Sequence, residues 1–391
     1  MFTKNNTFDQ IMHTEPIQKA IGNLFPSCWT QQILPRYAAH TMQQIESEVQ
    51  MEWGVPFFSD AFVESANILM DTVQNERFVF IPLWQEPEIS AASDSLAPWI
   101  PDSDQNDTRH VWLFTGNPQK DLTAFAHTSG SGSVPPYPSH AVPDGKYDKT
   151  SVRPAVIICP GGGYEMLSTY SEGIQLAQRM ERDGGYKAFV LNYRIAPHSY
   201  PLPQTDLALA IMHVRIHAAQ YRIDPNRILI IGSSAGGHLC ASEAALHETL
   251  KQEALSRLRQ GAASSDILKT YESVSARPDG IGLLYPVVSF LSEYHEGSYL
   301  NLTNDKPGLR EALSVEKHIT SDYPATYAFA NKDDDCVPAS NTTRLEQALA
   351  KAGVAHLCEI YPTGGHGVGL GYDCSCSMWS ERMLEFFEQV F

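Results

Sequence analysis

Residues 228–239 read Ile-Leu-Ile-Ile-Gly-Ser-Ser-Ala-Gly-Gly-His-Leu. The four apolar residues, three of them Ile, predict a short buried strand. Residues 238–246 then read as a helix. Between them lie only six residues, so the strand and helix backbones must crowd together. Gly232 and Gly236 keep Cβ atoms out of that space. A serine at the centre of such a turn projects its hydroxyl off the strand end, as a G-x-S-x-G nucleophile requires. Ser234 is the expected nucleophile, with the amide of Ala235 beside it. The remainder of the chain should then supply a base, an orienting acid and further amide donors.

From residue 154 onward, strand and helix patterns alternate. Strands are predicted at 155–159, 187–193, 282–288, 325–330 and 357–361, in addition to the one before Ser234. Helices are predicted at 170–183, 204–221, 338–352 and 377–390. This grammar implies an α/β fold with a mostly parallel sheet and helices on both faces. Sites in such sheets lie at the carboxyl ends of the strands. Segments 251–278 and 290–322 interrupt the alternation, and the second is a candidate for a small cap.

The N-terminal part has a different texture. Residues 1–78 read as a helical extension to a main domain at 79–391. Met42, Ile45 and Val49 recur at helical spacing. Asp60 is placed to cap a second helix, with Phe62, Val63, Ala66, Leu69, Met70 and Val73 on one stripe. Such stripes pack on each other or on the main domain; the alternatives are a lid or a homo-oligomer surface. Residues 79–84 are expected to be extended, since Pro82 interrupts any helix. Residues 111–114 and 122–126 are candidate strands around a turn at 116–118. Residues 85–108 and 128–150 are loops by composition.

Three more features fall just after predicted strands. Cys159-Pro160-Gly161-Gly162-Gly163-Tyr164 carries three glycines that let bare N–H groups converge on one point, as needed where negative charge develops on a carbonyl oxygen. Gly162 and Gly163 are the expected donors, together with Ala235. A phosphate cradle would need a Gly-Lys-Ser/Thr ending, which is missing. Asn331-Lys332-Asp333-Asp334-Asp335-Cys336-Val337-Pro338 offers three acids, and these residues alone do not choose among them. Gly364-Gly365-His366-Gly367 offers a histidine flanked by glycines, the expected general base. Tyr164 and His238 are candidates for the pocket wall.

The bulk numbers narrow the class. A formal charge of −17 argues against a basic face for nucleic acid or anionic membrane. No apolar run is long enough to span a bilayer, and residues 1–10 have no leader-like apolar core. Seven cysteines, an odd number, fit reduced thiols. A cytoplasmic protein is the default expectation. Cys374-Ser375-Cys376 lacks a second pair or a histidine at finger spacing, so no metal or organic cofactor is called for.

Residues 79–391 resemble the α/β-hydrolase superfamily, and within it the acetyl xylan esterase-like carbohydrate acetylesterases related to the hormone-sensitive-lipase group. The matching pieces, in family order, are Ile81-Pro82-Leu83-Trp84, Pro160-Gly161-Gly162-Gly163-Tyr164, Glu172-Gly173, Asn192-Tyr193-Arg194-Ile195-Ala196-Pro197, Gly232-Ser233-Ser234-Ala235-Gly236-Gly237-His238, Asp334-Asp335-Cys336-Val337-Pro338 and Gly364-Gly365-His366-Gly367. The order Ser, Asp, His along the chain is that of α/β-hydrolases. The resemblance places the acid four residues before Pro338, at Asp334. It implies a serine esterase acting on short acyl, chiefly acetyl, esters of carbohydrate hydroxyls. Asp206 matches a family aspartate and is expected to tie its helix to the Tyr193-Arg194 loop. The 1–78 extension and the long loop before the Gly-Gly-Gly strand depart from the branch. A peptidase or amidase of the same superfamily, and a non-catalytic scaffold, are the alternatives.

Overall fold

The computed structural model describes residues 2–12, 14, 34–53, 63, 66–67, 70, 74–84, 111–120, 122–127 and 152–391 except 262 and 373. Most of the predicted 60–73 stripe, residues 85–108 and residues 128–150 lie outside the described residues.

Eight strands form one sheet: β1 (Phe78–Pro82), β2 (Trp112–Gly116), β3 (Arg153–Cys159), β4 (Lys187–Asn192), β5 (Ile223–Ser233), β6 (Gly280–Leu284), β7 (Ala325–Asn331) and β8 (His356–Tyr361). Their order is β1-β2-β4-β3-β5-β6-β7-β8. β1 and β2 join antiparallel; every pairing from β4 to β8 is parallel. Parallel strands need crossovers, and helices supply them on both faces.

Side-chain alternation divides the core into two layers. Ala155, Ile157 and Cys159 of β3, with Ile228 and Ile230 of β5, pack with helices Leu202–Ile216 and Ser234–Gln260. Val156, Ile158, Leu229 and Ile231 face the other way, toward helices Gln175–Arg182 and Trp379–Val390. All nine are fully buried. Each Ile or Leu among them contributes about 1.5–3 kcal/mol of transfer free energy. Phe8, Ile11, Met42 and Ile45 of the N-terminal segment share the second layer with Phe78, Trp112 and Phe114.

Two strand expectations are corrected. Residues 122–126 do not extend; Ala124–His127 is a 3-10 turn. Both edges of β2 are already paired, to β1 and β4. Ala124 and Phe125 instead fold inward, and Phe125 meets Phe78 and Phe114 edge-on. The strand expected at 282–288 stops at Leu284, because Tyr285 takes a φ of 37° and turns the chain across the sheet's end.

The parallel strands all point one way. The glycine turn after β3, Ser234 after β5, Tyr285 after β6, Asp334 after β7 and His366 after β8 therefore gather at one edge. Among the described residues no helix is long and apolar enough to cross a membrane.

Candidate active site

Strand β5 ends at Ser233, with φ −105° and ψ 137°, and the helix begins at Ser234, whose φ is +53°. A non-glycine residue in that left-handed region is strained, and here the strain lifts the hydroxyl off the strand. The closeness inferred for the two glycines is extreme. A Cβ on Gly232 would lie 2.1 Å from the Gly236 carbonyl oxygen, and one on Gly236 would lie 2.1 Å from that of Cys159.

The side chains of Ser234, His366 and Asp334 form one hydrogen-bonded line. Ser234 Oγ is 2.8 Å from His366 Nε2, and His366 Nδ1 is 2.7 Å from Asp334 Oδ2. Facing a carboxylate, Nδ1 carries the proton, which leaves Nε2 to accept from the serine hydroxyl. The Asp334 side chain is completely buried; its other oxygen accepts from the N–H groups of Cys336 (2.9 Å) and Val337 (2.8 Å). Those two bonds orient the carboxylate toward the ring. Of its neighbours, Asp335 is exposed and Asp333 does a different job. Asp333 accepts from the N–H groups of Gly364 and Gly365 at 2.9 Å each. These bonds, Gly365 first and then Gly364, draw its carboxyl below the usual range. Asn331 Nδ2 donates to the Gly365 carbonyl at 2.8 Å. The histidine loop is thus held by its backbone while its ring stays presented.

The glycine turn is held the opposite way. The Gly161 carbonyl accepts from Ser168 N–H at 2.9 Å, and the Gly162 carbonyl accepts from Glu165 and Met166 N–H at 3.0 Å each. In a trans peptide the N–H points opposite to the carbonyl. The N–H groups of Gly162 and Gly163 are therefore turned away from the 165–168 segment. The turn itself abuts the elbow: Cys159 pairs with Gly232 across β3 and β5, and a Cβ on Gly161 would sit 3.0 Å from Ser234 Cβ. Ala235 is the second residue of a 27-residue helix, where N–H groups have no intrahelical acceptor and the helix dipole is positive. This arrangement can stabilise an oxyanion next to an activated hydroxyl.

Tyr164 and His238 do not line an open pocket; both side chains are fully buried, and this corrects their expected place. His238 Nε2 lies 2.8 Å from the Leu313 carbonyl, which can only accept, so Nε2 bears the proton. Nδ1 then accepts from the Tyr164 hydroxyl at 2.8 Å. Burial pulls His238 down to about 4 and pushes the Tyr164 phenol up, so both are neutral. His238 thus fixes the side chain of Tyr164, the residue following the glycines.

The sequence assigns Glu172 no role, and Tyr285, His295 and Asn301 carry no signal in it. Glu172 is buried and accepts from Gly161 N–H and from the Tyr285 hydroxyl, each at 2.8 Å. Burial raises its carboxyl, opposed by the bonds from Tyr285 and Gly161. The Tyr285 oxygen in turn accepts from Gly369 N–H at 2.9 Å, and its ring packs on His366 with centroids 5.0 Å apart. One carboxyl thus joins the glycine turn to the histidine loop. Asp206 sits below. It accepts from Arg194 N–H at 2.9 Å, from the Arg194 guanidinium at 2.6 Å and from Trp84 Nε1 at 2.8 Å, in keeping with a structural tie. Among the described residues no group of three or more His, Cys, Asp or Glu side chains could hold a metal ion.

Sheet order, elbow and the Ser-His-Asp line define an α/β-hydrolase. The family model BD-FAE matches residues 144–349, and the chain belongs to that family. It is 31% identical over 228 residues to an acetylxylan esterase of Xylanibacter ruminicola, covering 56% of this chain and 41% of that protein. It is 27% identical over 307 residues to endo-1,4-beta-xylanase B of Butyrivibrio fibrisolvens, covering 74% of this chain and 44% of that protein. The chain thus spans less than half the length of these two relatives. Among solved structures it resembles the acetyl ester-xyloside bifunctional hydrolase of Caldicellulosiruptor lactoaceticus, with TM-score 0.59, 29% identity, and coverage of 80% of this chain and 96% of that one.

Proposed function

We propose that this protein is a serine carboxylic ester hydrolase that removes short acyl groups, chiefly acetyl, from carbohydrate hydroxyls. Its support is the contact between Ser234 Oγ and His366 Nε2 at 2.8 Å, backed by Asp334. In this reading His366 takes the Ser234 proton as Oγ attacks the ester carbonyl. The carbonyl oxygen becomes an oxyanion facing the N–H groups of Gly162, Gly163 and Ala235. Asp334 keeps the ring in the required tautomer and stabilises its cationic form. The tetrahedral intermediate collapses, His366 gives the proton to the departing sugar oxygen, and the acyl group remains on Ser234. Water then attacks the acyl-enzyme with His366 again as base, releasing the acid and restoring the hydroxyl. Every step uses side chains and amides of this chain.

The sugar as leaving group is drawn from similarity: one relative is named for acetylxylan and one solved structure for an acetyl ester. The test is acetate release from a panel of acetylated xylo- and manno-oligosaccharides, run beside p-nitrophenyl esters of increasing acyl length. Acetate release from at least one saccharide, with the acyl series peaking at or near C2, is the expected result. A peak at C6 or longer would reject acetyl preference. Failure of a fluorophosphonate probe to label Ser234 would reject the serine mechanism itself.

A further inference from the structure

The segment 290–322 contains the helix Glu296–Thr303, and that helix is fastened to the glycine turn. Asn301 Nδ2 donates to the Gly163 carbonyl at 2.9 Å. Tyr299 and Leu302 anchor it in the core, and the Leu302 carbonyl accepts from Tyr200 N–H at 2.7 Å. The residue that caps this helix is His295. Its Nδ1 lies 3.1 Å from Ser298 N–H and 2.8 Å from Ser298 Oγ. A backbone N–H only donates, so Nδ1 is the unprotonated nitrogen and Nε2 carries the hydrogen. Partial burial, and then the nearby His366, lower the basicity of His295 and keep the ring neutral.

This neutral donor stands beside the reacting centre. A Cβ built on Gly163 would lie 3.6 Å from His295 Cε1, the carbon between the two ring nitrogens. Among the described residues none accepts a hydrogen bond from Nε2. A fixed, uncharged N–H at the rim of an ester site suits a neutral oxygen acceptor. It offers nothing to a purely hydrocarbon leaving group.

We propose that His295 is a specificity-determining residue, donating its Nε2–H to a sugar oxygen adjoining the ester. The inference rests on the carbohydrate reading above. The test uses His295→Asn, because asparagine keeps the helix cap through its side-chain oxygen but is too short to reach the substrate. Activity is measured as kcat/KM on an acetylated xylo-oligosaccharide and on phenyl acetate, whose leaving group has no second oxygen. The ratio of the first to the second is expected to fall about tenfold, as for loss of one neutral hydrogen bond, with most of the loss in KM. Thermal midpoints of the two proteins report that the cap survives. An unchanged ratio overturns the proposal, whether both activities drop together or neither moves. If the wild-type protein hydrolyses phenyl acetate but no acetylated saccharide, the carbohydrate reading fails first and this assignment with it.

Discussion

Two loops frame Ser234, and they are built on opposite plans. The histidine loop, residues 363–369, is pinned through its N–H groups by Asp333 and through one carbonyl by Asn331, and it offers a side chain. The glycine turn, residues 160–168, is pinned through its carbonyls and, just before the donors, through the Gly161 N–H, and it offers the N–H groups of Gly162 and Gly163. The difference follows from what each supplies. A base must be a titratable ring, so the backbone around it is free to be fastened. An oxyanion donor in the turn is the backbone itself, so only the carbonyl side and the flanking residues can be used as fastenings. One substitution can therefore delete the first function, whereas the second can only be displaced.

The largest expected effect tests that asymmetry. His366→Ala and Ser234→Ala should each lower kcat by about 10⁵-fold on p-nitrophenyl acetate, with little change in the urea midpoint. Retention of activity within tenfold of wild type by either variant would remove the residue from its role. Asp334→Asn comes next. It keeps the shape but favours the wrong tautomer of His366, and about a 10⁴-fold loss is expected. Asp333→Asn, one position away and only a fastening for the loop, should cost less than about tenfold. If the two neighbours lost equal activity, the separation between orienting acid and loop anchor would collapse.

Glu172→Ala probes the other loop. It strands the Gly161 N–H and the Tyr285 hydroxyl inside the protein, at about 1–3 kcal/mol for each. Because the amides shift rather than vanish, kcat should fall about ten- to a hundredfold with KM nearly unchanged. A stability loss without any loss of kcat would show that the turn does not depend on this carboxyl.

The smallest effect on activity is expected from His238, beneath the turn, but it carries a pH signature. Burial lowers its folded value to about 4 from 6.5. Between those values the unfolded chain binds a proton that the folded chain does not, so stability falls as pH drops from 6.5 toward 4 and is fully present above 6.5. The loss attributable to this group is about 3 kcal/mol. Urea midpoints at pH 7 and pH 4.5 should therefore differ less in His238→Gln than in the wild-type protein. An identical pH dependence in both would place the acid sensitivity elsewhere.

Much of this was legible in the chain. The strand–turn–helix at 228–246 could be read because local crowding demands glycine at fixed spacing, and the alternation of elements implied the parallel sheet. The glycine turn and His366 were visible for the same reason: glycine marks backbone that must approach something closely. Choosing Asp334 needed the family resemblance, since Asp333, Asp334 and Asp335 are chemically identical in sequence. The strand expected at 122–126 failed because its apolar residues match a strand pattern equally well when they pack on the face of strands that are already paired.

What the sequence determined by itself was the set of local geometries, because propensity, glycine placement and periodicity act over a few residues. The tertiary structure alone decided which distant groups meet. Glu172 reaches Tyr285 across 113 positions, Tyr164 reaches His238 across 74, and Asn301 reaches Gly163 across 138. Such pairs leave no periodic trace, since their contact is set by the order in which the strands stack. The elbow names the nucleophile from one dozen residues. The network that holds its oxyanion donors in place exists only once β3, β5, β6, β7 and β8 are assembled in that order.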